Sequence, residues 1–291
     1  MPRPTILVTG TQGQIGFELA QLLAPLGNVV AADRAMLDLA DPDAIVAVMR
    51  RQKPAVIVNA GAYTAVDRAE SEPALASAIN ARAPGILAEE AKRAAAVLVH
   101  FSTDYVFDGA RTTPYPEDAP TAPLNVYGET KLEGERAIAD AGAKAIVLRT
   151  SWVYGLRGKN FLLTMRKLAA ERDHLTVVAD QIGVPNWSHT LASATARIVA
   201  SGVSAMAERS GLYHLSSSGE ASWYDFARAI LGDTSKARLL PIATADYPTP
   251  ARRPAYGVLA TSRFESTFGF ALPSWREALA DCVASGAAPP H

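Results

Sequence analysis

The sequence has 291 residues, 49% of them hydrophobic and 20% charged, with a formal net charge of -1. A chain of this length and balance buries a substantial core, and it has neither the polar bias of a disordered segment nor the basic excess of a nucleic-acid surface. Its single cysteine, Cys282, excludes an intramolecular disulfide and a cysteine-rich metal cluster, fits a reducing compartment, and reads as a small buried residue.

The opening stretch "MPRPTILVTG" runs straight into a strand pattern without a long apolar signal region, and no later segment reaches ~18 uninterrupted apolar residues. A soluble, cytoplasmic protein with no membrane or nucleic-acid partner is the expectation. Short β-branched runs at Thr5 to Val8, Val29 to Ala32, Ala55 to Val58, Val97 to Phe101 and Ala145 to Leu148 alternate with stretches of helical period. That alternation predicts an α/β fold built of βαβ units around a parallel sheet.

After the first strand, "ILVTGTQGQIGFEL" places Gly10, Gly13 and Gly16 at the opening of a helix. Glycines there allow a tight turn and close approach of backbone to a pyrophosphate, while the helix N-terminus offers free N–H groups to the anion. The spacing is GxxGxxG rather than the commoner GxGxxG, but its strand-loop-helix setting is right for a dinucleotide. Ile15, Leu19, Leu22, Leu23 and Leu26 recur at helical spacing and predict one buried stripe. Asp33 ends the second strand, where a carboxylate accepts from an adenosine ribose and repels a 2′-phosphate. This favours NAD over NADP, with Arg34 beside it softening the preference.

Asp41 and Pro42 read as the cap and first position of the next helix. The third strand runs into Asn59, Ala60, Gly61 and Ala62, small residues against which a flat cofactor, or simply a helix, can lie. The fourth is followed by "STDYVFDG", in which the Thr103 hydroxyl can hold a substrate oxygen and Asp104 can orient a sugar hydroxyl; alternatively Ser102 and Thr103 satisfy backbone groups. Tyr127 and Lys131, four apart, share a helix face, and an ammonium beside a phenol is expected to lower its pKa toward use as an acid and base. Past Thr150, loops rich in glycine, proline and aromatics connect helices expected near Asn160 to Ala170, Leu191 to Ala200, Ser222 to Leu231 and Trp275 to Ala284, with strands near Leu175 to Val178 and Leu212 to Leu215.

Taken together, the glycine loop, "NAGAYTAVDRAE", "STDYVFDG", "PLNVYGETKLEGE", "LRTSWVYG", "GLYHLSSSGEASWYDFA" and "YPTPARRP" resemble the extended short-chain dehydrogenase/reductase family over nearly the whole chain. The resemblance implies a Rossmann-type doubly wound sheet in residues 1–150 and a smaller, mainly substrate-binding domain in 151–291, with a strand and helix returning to the first. It further implies reduction of the C4 ketone of dTDP-4-dehydro-L-rhamnose by NADH or NADPH, the last step of dTDP-L-rhamnose synthesis. Thr103, Tyr127 and Lys131 match the catalytic trio, Lys131 also holding the nicotinamide ribose. Gln14, Ile15, Asp38, Leu39, Ala62, Tyr63 and Thr64 match cofactor contacts, and Trp152 and Asp104 sugar contacts, although Trp152 also reads as an ordinary buried aromatic.

Two departures stand out. Some members dimerise through glutamates gathered around magnesium; Glu18 matches one such position, but His189 and Ser285 replace the others, so a monomer or a dimer without bridging magnesium, and no metal, is expected. Where members more often carry Asn-Ser after the Arg-Pro pair, this chain has Tyr256 and Gly257, beside Arg252 and Arg253, which read as partners for a nucleotide-sugar diphosphate or as surface charges. Other readings are an epimerase or a reductase of a different nucleotide-4-keto sugar, or a non-catalytic subunit similar to the regulatory subunit of methionine adenosyltransferase.

Overall fold

The structure is a computed structural model that describes residues 3–232 and 237–287. Five strands expected from the sequence form with ends moved by one or two residues: β1 (Thr5–Thr9), β2 (Asn28–Ala32), β3 (Val56–Asn59), β4 (Val97–Thr103) and β5 (Lys144–Thr150). With the later strand Gly211–His214 they make a six-stranded sheet whose spatial order is Gly211–His214, β5, β4, β3, β1, β2. Every pairing in it is parallel.

Alternation along the strands sends side chains to two covered faces. Ile6 and Val8 join Val56, Val58, Val97 and Val99 in one cluster, which the first helix, α1 (Gln14–Leu22), and the helix Ser188–Ala200 cover with Leu19, Leu191 and Ile198. The predicted stripe from Ile15 to Leu26 lies here. Leu7, Ile57 and Leu98 point the other way, onto Ile45 and Val48 of α2 (Pro42–Gln52), Leu87 of the helix Ala83–Arg93 and Ile138 of the helix Val126–Ala141. Asp41 caps α2 as expected, accepting from Asp43 N and Ala44 N, with Pro42 at the first turn. Burial on both faces is why these strands are near-continuous apolar runs.

Strand order reverses at β1, which has β2 on one side and β3 on the other. In an open parallel sheet this switch point leaves a crevice at the carboxyl ends of the flanking strands. The glycine loop and the segment after Asn59 both emerge into it.

A third cluster is built from Tyr154, Leu162, Leu175, Phe226, Trp275 and Leu279 among others. His174–Val178 pairs there with Arg238–Ile242 in a separate two-stranded parallel sheet. The helices Phe161–Glu171, Trp223–Leu231 and Trp275–Ala287 are present, the first capped by Asn160 and the second by a reciprocal Ser222–Asp225 capping box. Cys282 is fully buried in this cluster. No helix among the described residues is long and apolar enough to cross a membrane.

Candidate active site

The glycine loop is shaped by what it excludes. Gly10 has φ +68°, and a Cβ on it would lie 2.6 Å from the Cα of Gly61; one on Gly16 would lie 2.2 Å from Gly10 O. Gly13 N–H bonds to Gly10 O at 2.8 Å, closing the turn, and no side chain caps α1. The N-terminal N–H groups of the helix are therefore left to a ligand, the arrangement that receives a pyrophosphate. Ile15 packs inward, and Gln14 ties the loop to the following lobe, donating to Val153 O and accepting from Asn160 Nδ2.

Asp33, just past β2, accepts from Met36 N and from Gln12 Nε2, which presents its carboxylate at the edge of the crevice. Asp38 caps Ala40 N and pairs with Arg34 on the surface. Leu39 reaches the crevice itself: a Cβ on Gly61 would lie 2.6 Å from Leu39 Cδ1. The Ala62, Tyr63, Thr64 segment is clamped by Asn80, whose side chain accepts from Tyr63 N and donates to Tyr63 O and to Thr130 Oγ1. Asn80 lies in a π-helical turn, Ala78–Arg82, a local widening that often accompanies functional sites. These groups fit a dinucleotide: a backbone cradle at the switch point, a free helix N-terminus and a carboxylate at the ribose end.

At the carboxyl end of β4, the helix Val126–Ala141 starts at Asn125, whose side chain accepts from Gly128 N. A Cβ on Gly128 would lie 2.3 Å from Tyr105 O, so this helix seats directly on "STDYVFDG" and brings Tyr127 to Thr103. The Thr103 side chain is near enough to the phenol to oppose the rise in its pKa. Thr103 Oγ1 accepts from Tyr105 N and donates to Asp104 Oδ1 at 3.1 Å. Asp104 is 2% exposed, its Oδ2 has no partner, and burial raises its carboxyl to about 7.

Lys131 behaves differently from the sequence expectation. Its Nζ donates to Phe101 O at 2.6 Å and lies 3.1 Å from His100 Nε2, beneath β4, and burial lowers its ammonium to about 8. Burial instead pushes the Tyr127 phenol up to about 12, the neighbouring Thr103 side chain opposing and Asp104 adding to the rise. The expected lowering of the phenol by a neighbouring ammonium is thus not met, because the cost of removing a phenolate from water exceeds what the neighbours return.

Trp152 has φ +41°, in the left-handed region that side-chain-bearing residues rarely enter. Buried Asn186 fixes this turn, its N–H donating to Trp152 O and its amide to Ser151 O. The Trp152 ring lies over Gly183 and stacks on Trp223 with centroids 3.5 Å apart. Beside them is a cleft of about 470 Å³ lined by Phe161, Met165, Leu168 and Trp223, with Asp67 and Arg253 also on its wall. Arg253 pairs bidentately with Asp67, at 3.1 and 2.8 Å, while Arg252 is exposed and its carbonyl accepts from Asn125 Nδ2. Gly257 faces Asp104: a Cβ there would be 2.5 Å from Oδ2.

His189 Nδ1 lies 2.9 Å from Glu18 Oε2, and the Ser285 hydroxyl donates back to Cys282 O of its own helix. Among the described residues, no group of three or more His, Cys, Asp or Glu side chains is placed to hold a metal ion. Asn80, Asn186 and His100 carry much of the site's geometry without having been singled out for it. The only signal in the sequence was a polar residue in an apolar or alanine-rich surrounding.

The parallel sheet with its switch-point cradle, and a threonine and tyrosine meeting at the end of the fourth strand, define a Rossmann-type protein of the short-chain dehydrogenase/reductase kind. More narrowly, the chain belongs to the family described as RmlD substrate binding domain, which matches residues 4–287. It is 47% identical to a dTDP-4-dehydrorhamnose reductase of Burkholderia thailandensis, across 96% of this chain and 97% of the relative, and 44% identical to that of Escherichia coli K12, across 93% and 94%. A crystal structure of dTDP-4-dehydrorhamnose reductase from Bacillus anthracis in complex with NADP superposes with a TM-score of 0.92 at 34% identity, covering 98% of this chain and all of that one.

Proposed function

We propose that this chain reduces the C4 ketone of dTDP-4-dehydro-L-rhamnose to dTDP-L-rhamnose with NADH or NADPH, the final step of dTDP-rhamnose synthesis. The observation that carries this reading is that the helix seated on "STDYVFDG" brings Tyr127 beside Thr103 at the carboxyl end of β4, on the same edge of the sheet as the glycine cradle. The family and the named relatives support the same reaction.

The nicotinamide, when bound, supplies the hydride that the ketone carbon takes up. Gly10, Gly13 and Gly16 leave room for the pyrophosphate, Gln14 and Ile15 shape the helix start, and Asp33, Asp38 and Leu39 flank the adenosine end. Ala62, Tyr63 and Thr64, held by Asn80, line the path toward the nicotinamide. Thr103 binds the ketone oxygen, and Tyr127 gives that oxygen its proton; a phenol with a raised pKa is fully protonated at neutrality and ready to donate. Lys131 holds the nicotinamide ribose with the one donor left over from Phe101 and His100. Asp104, with a free buried oxygen, and Trp152 contact the sugar, while the apolar cleft takes the thymine and Arg253 faces the diphosphate.

The test is net oxidation of added NADH or NADPH by the purified protein, offered a panel of nucleotide-4-keto sugars. Stoichiometric oxidation with dTDP-4-dehydro-L-rhamnose is expected. Epimerisation without consumption of reduced cofactor, or no turnover with any sugar, contradicts the reading.

A further inference from the structure

The Arg253 guanidinium is held by one edge only. Its end edge is closed by Asp67: Nη1 donates to Oδ1 at 3.1 Å and Nη2 to Oδ2 at 2.8 Å. Nη1 also meets Thr249 Oγ1 and Ala251 O, so neither of its hydrogens is spare. The side edge is different: Nε and the second Nη2 hydrogen have no acceptor among the described residues. Two other bidentate arginine–carboxylate pairs, Arg149–Glu135 and Arg50–Glu90, close that side edge instead, through Nε and Nη2.

A guanidinium fastened by its end keeps a planar fork of two N–H groups, the shape that two oxygens of a phosphate accept. Arg253 stands on the wall of the cleft beside Tyr247 and Thr249, its side chain 22% exposed. A contact with an oxyanion there is partly shielded from water, which strengthens it. The anchor comes from a distant part of the chain. Asp67 lies in the short helix Val66–Ala69, just past the Asn80-held segment, and accepts from Ala251 N as well. Arg252 O accepts from Asn125, the cap of the helix that carries Tyr127. Residues 249–253 are therefore pinned to the elements that hold the cofactor path and the phenol. Arg253 keeps the Asp67 carboxyl below its ordinary range, so the anchor stays charged near neutrality.

We propose that Asp67 is a positioning residue for substrate binding: by taking the end edge of Arg253 it presents the Nε and Nη2 side edge to the diphosphate of the nucleotide sugar. The proposal rests on the reductase reading for the identity of that ligand. Carboxylate and guanidinium together carry no net charge, so Asp67 adds orientation rather than attraction. What it leaves for the phosphate is a directed, two-pronged contact.

Calorimetric titration of the ligand-free protein with dTDP, and with thymidine as the ligand lacking phosphate, tests this. Asp67→Asn is expected to weaken dTDP about tenfold and to leave thymidine within about twofold. Arg253→Lys, which keeps the charge and loses the fork, is expected to do the same. Added to Arg253→Lys, Asp67→Asn should cost dTDP no more than about twofold further, because the two act through one contact. Under turnover, Asp67→Asn should raise KM about tenfold with a much smaller change in kcat, the mark of lost binding rather than of a deformed site. Unchanged or tighter dTDP binding by Asp67→Asn overturns the proposal. So do equal losses for dTDP and thymidine, or a wild-type protein that binds dTDP no better than thymidine. If Asp67→Asn does not fold, Arg253→Lys decides, and a dTDP affinity equal to that of the wild type contradicts the proposal. Binding needs no turnover, so a chain that binds dTDP through this fork but reduces no sugar sinks the reductase reading and leaves this result standing.

Discussion

Asp104 Oδ2 is buried without a partner and lies 2.5 Å from where a Cβ on Gly257 would stand. Residues 153 positions apart in the chain thus form one wall of the site. Gly257→Ala forces the short, buried Asp104 side chain to shift. A loss of about 1–3 kcal/mol is expected, as for overpacking elsewhere, read as a fall in Tm. The Gly257→Ala, Asp104→Ala double variant should lose less than the sum of the two single changes; strict additivity would show that the two residues do not press on each other.

The Asp104 carboxyl also makes stability depend on pH. Its pKa rises from an ordinary 3.8 to about 7 in the fold because burial disfavours the carboxylate. Between those values the folded chain holds a proton that the unfolded chain has released. The contribution is therefore fully present below about pH 4 and is lost as pH rises through about 7. Asp104→Asn should flatten this part of the profile in denaturant titrations run across the window, and an unchanged slope would count against the raised value.

Tyr127→Phe removes the proposed acid and little else, since the ring keeps its edge contact with Tyr105 at 5.6 Å. Turnover is expected to fall about 100-fold or more, with NADH binding by fluorescence titration unchanged. Near-wild-type rates in this variant would exclude Tyr127 as the proton donor.

The cradle glycines should differ in how much they tolerate. On Gly16 a methyl meets the Gly10 backbone at 2.2 Å, whereas on Gly61 its nearest neighbour is the side-chain end Leu39 Cδ1 at 2.6 Å. Backbone cannot step aside as a leucine methyl can. Gly16→Ala is expected to lower Tm more than Gly61→Ala does, and to weaken NADH binding at least about tenfold through the displaced start of α1. Equal effects from the two substitutions would mean that the loop is softer than its contacts suggest.

Much of the scaffold was legible before any coordinates. Strand positions, the α1 stripe, the Asp41–Pro42 start of α2 and the Asn160 and Ser222 helix beginnings all express short-range rules, which act within a few residues and leave a pattern in the chain. The glycine loop is the same kind of signal, because a tight turn restricts residue type locally. The helix that presents Tyr127 and Lys131 was readable too, although the charges along it were not.

The sequence by itself therefore determined the alternating α/β order, the glycine cradle, and which side chains stand at the ends of the strands. Only the tertiary structure decided that Arg253 pairs with Asp67 from 186 residues away, that Asn80 clamps the Ala62–Thr64 segment, and that Lys131 turns beneath β4 to His100 rather than toward the phenol. The physical reason is that the proton affinity of a buried group depends on how much water is taken from it and on which dipoles surround it. Both are set by elements that meet across the sheet and leave no periodicity in the chain.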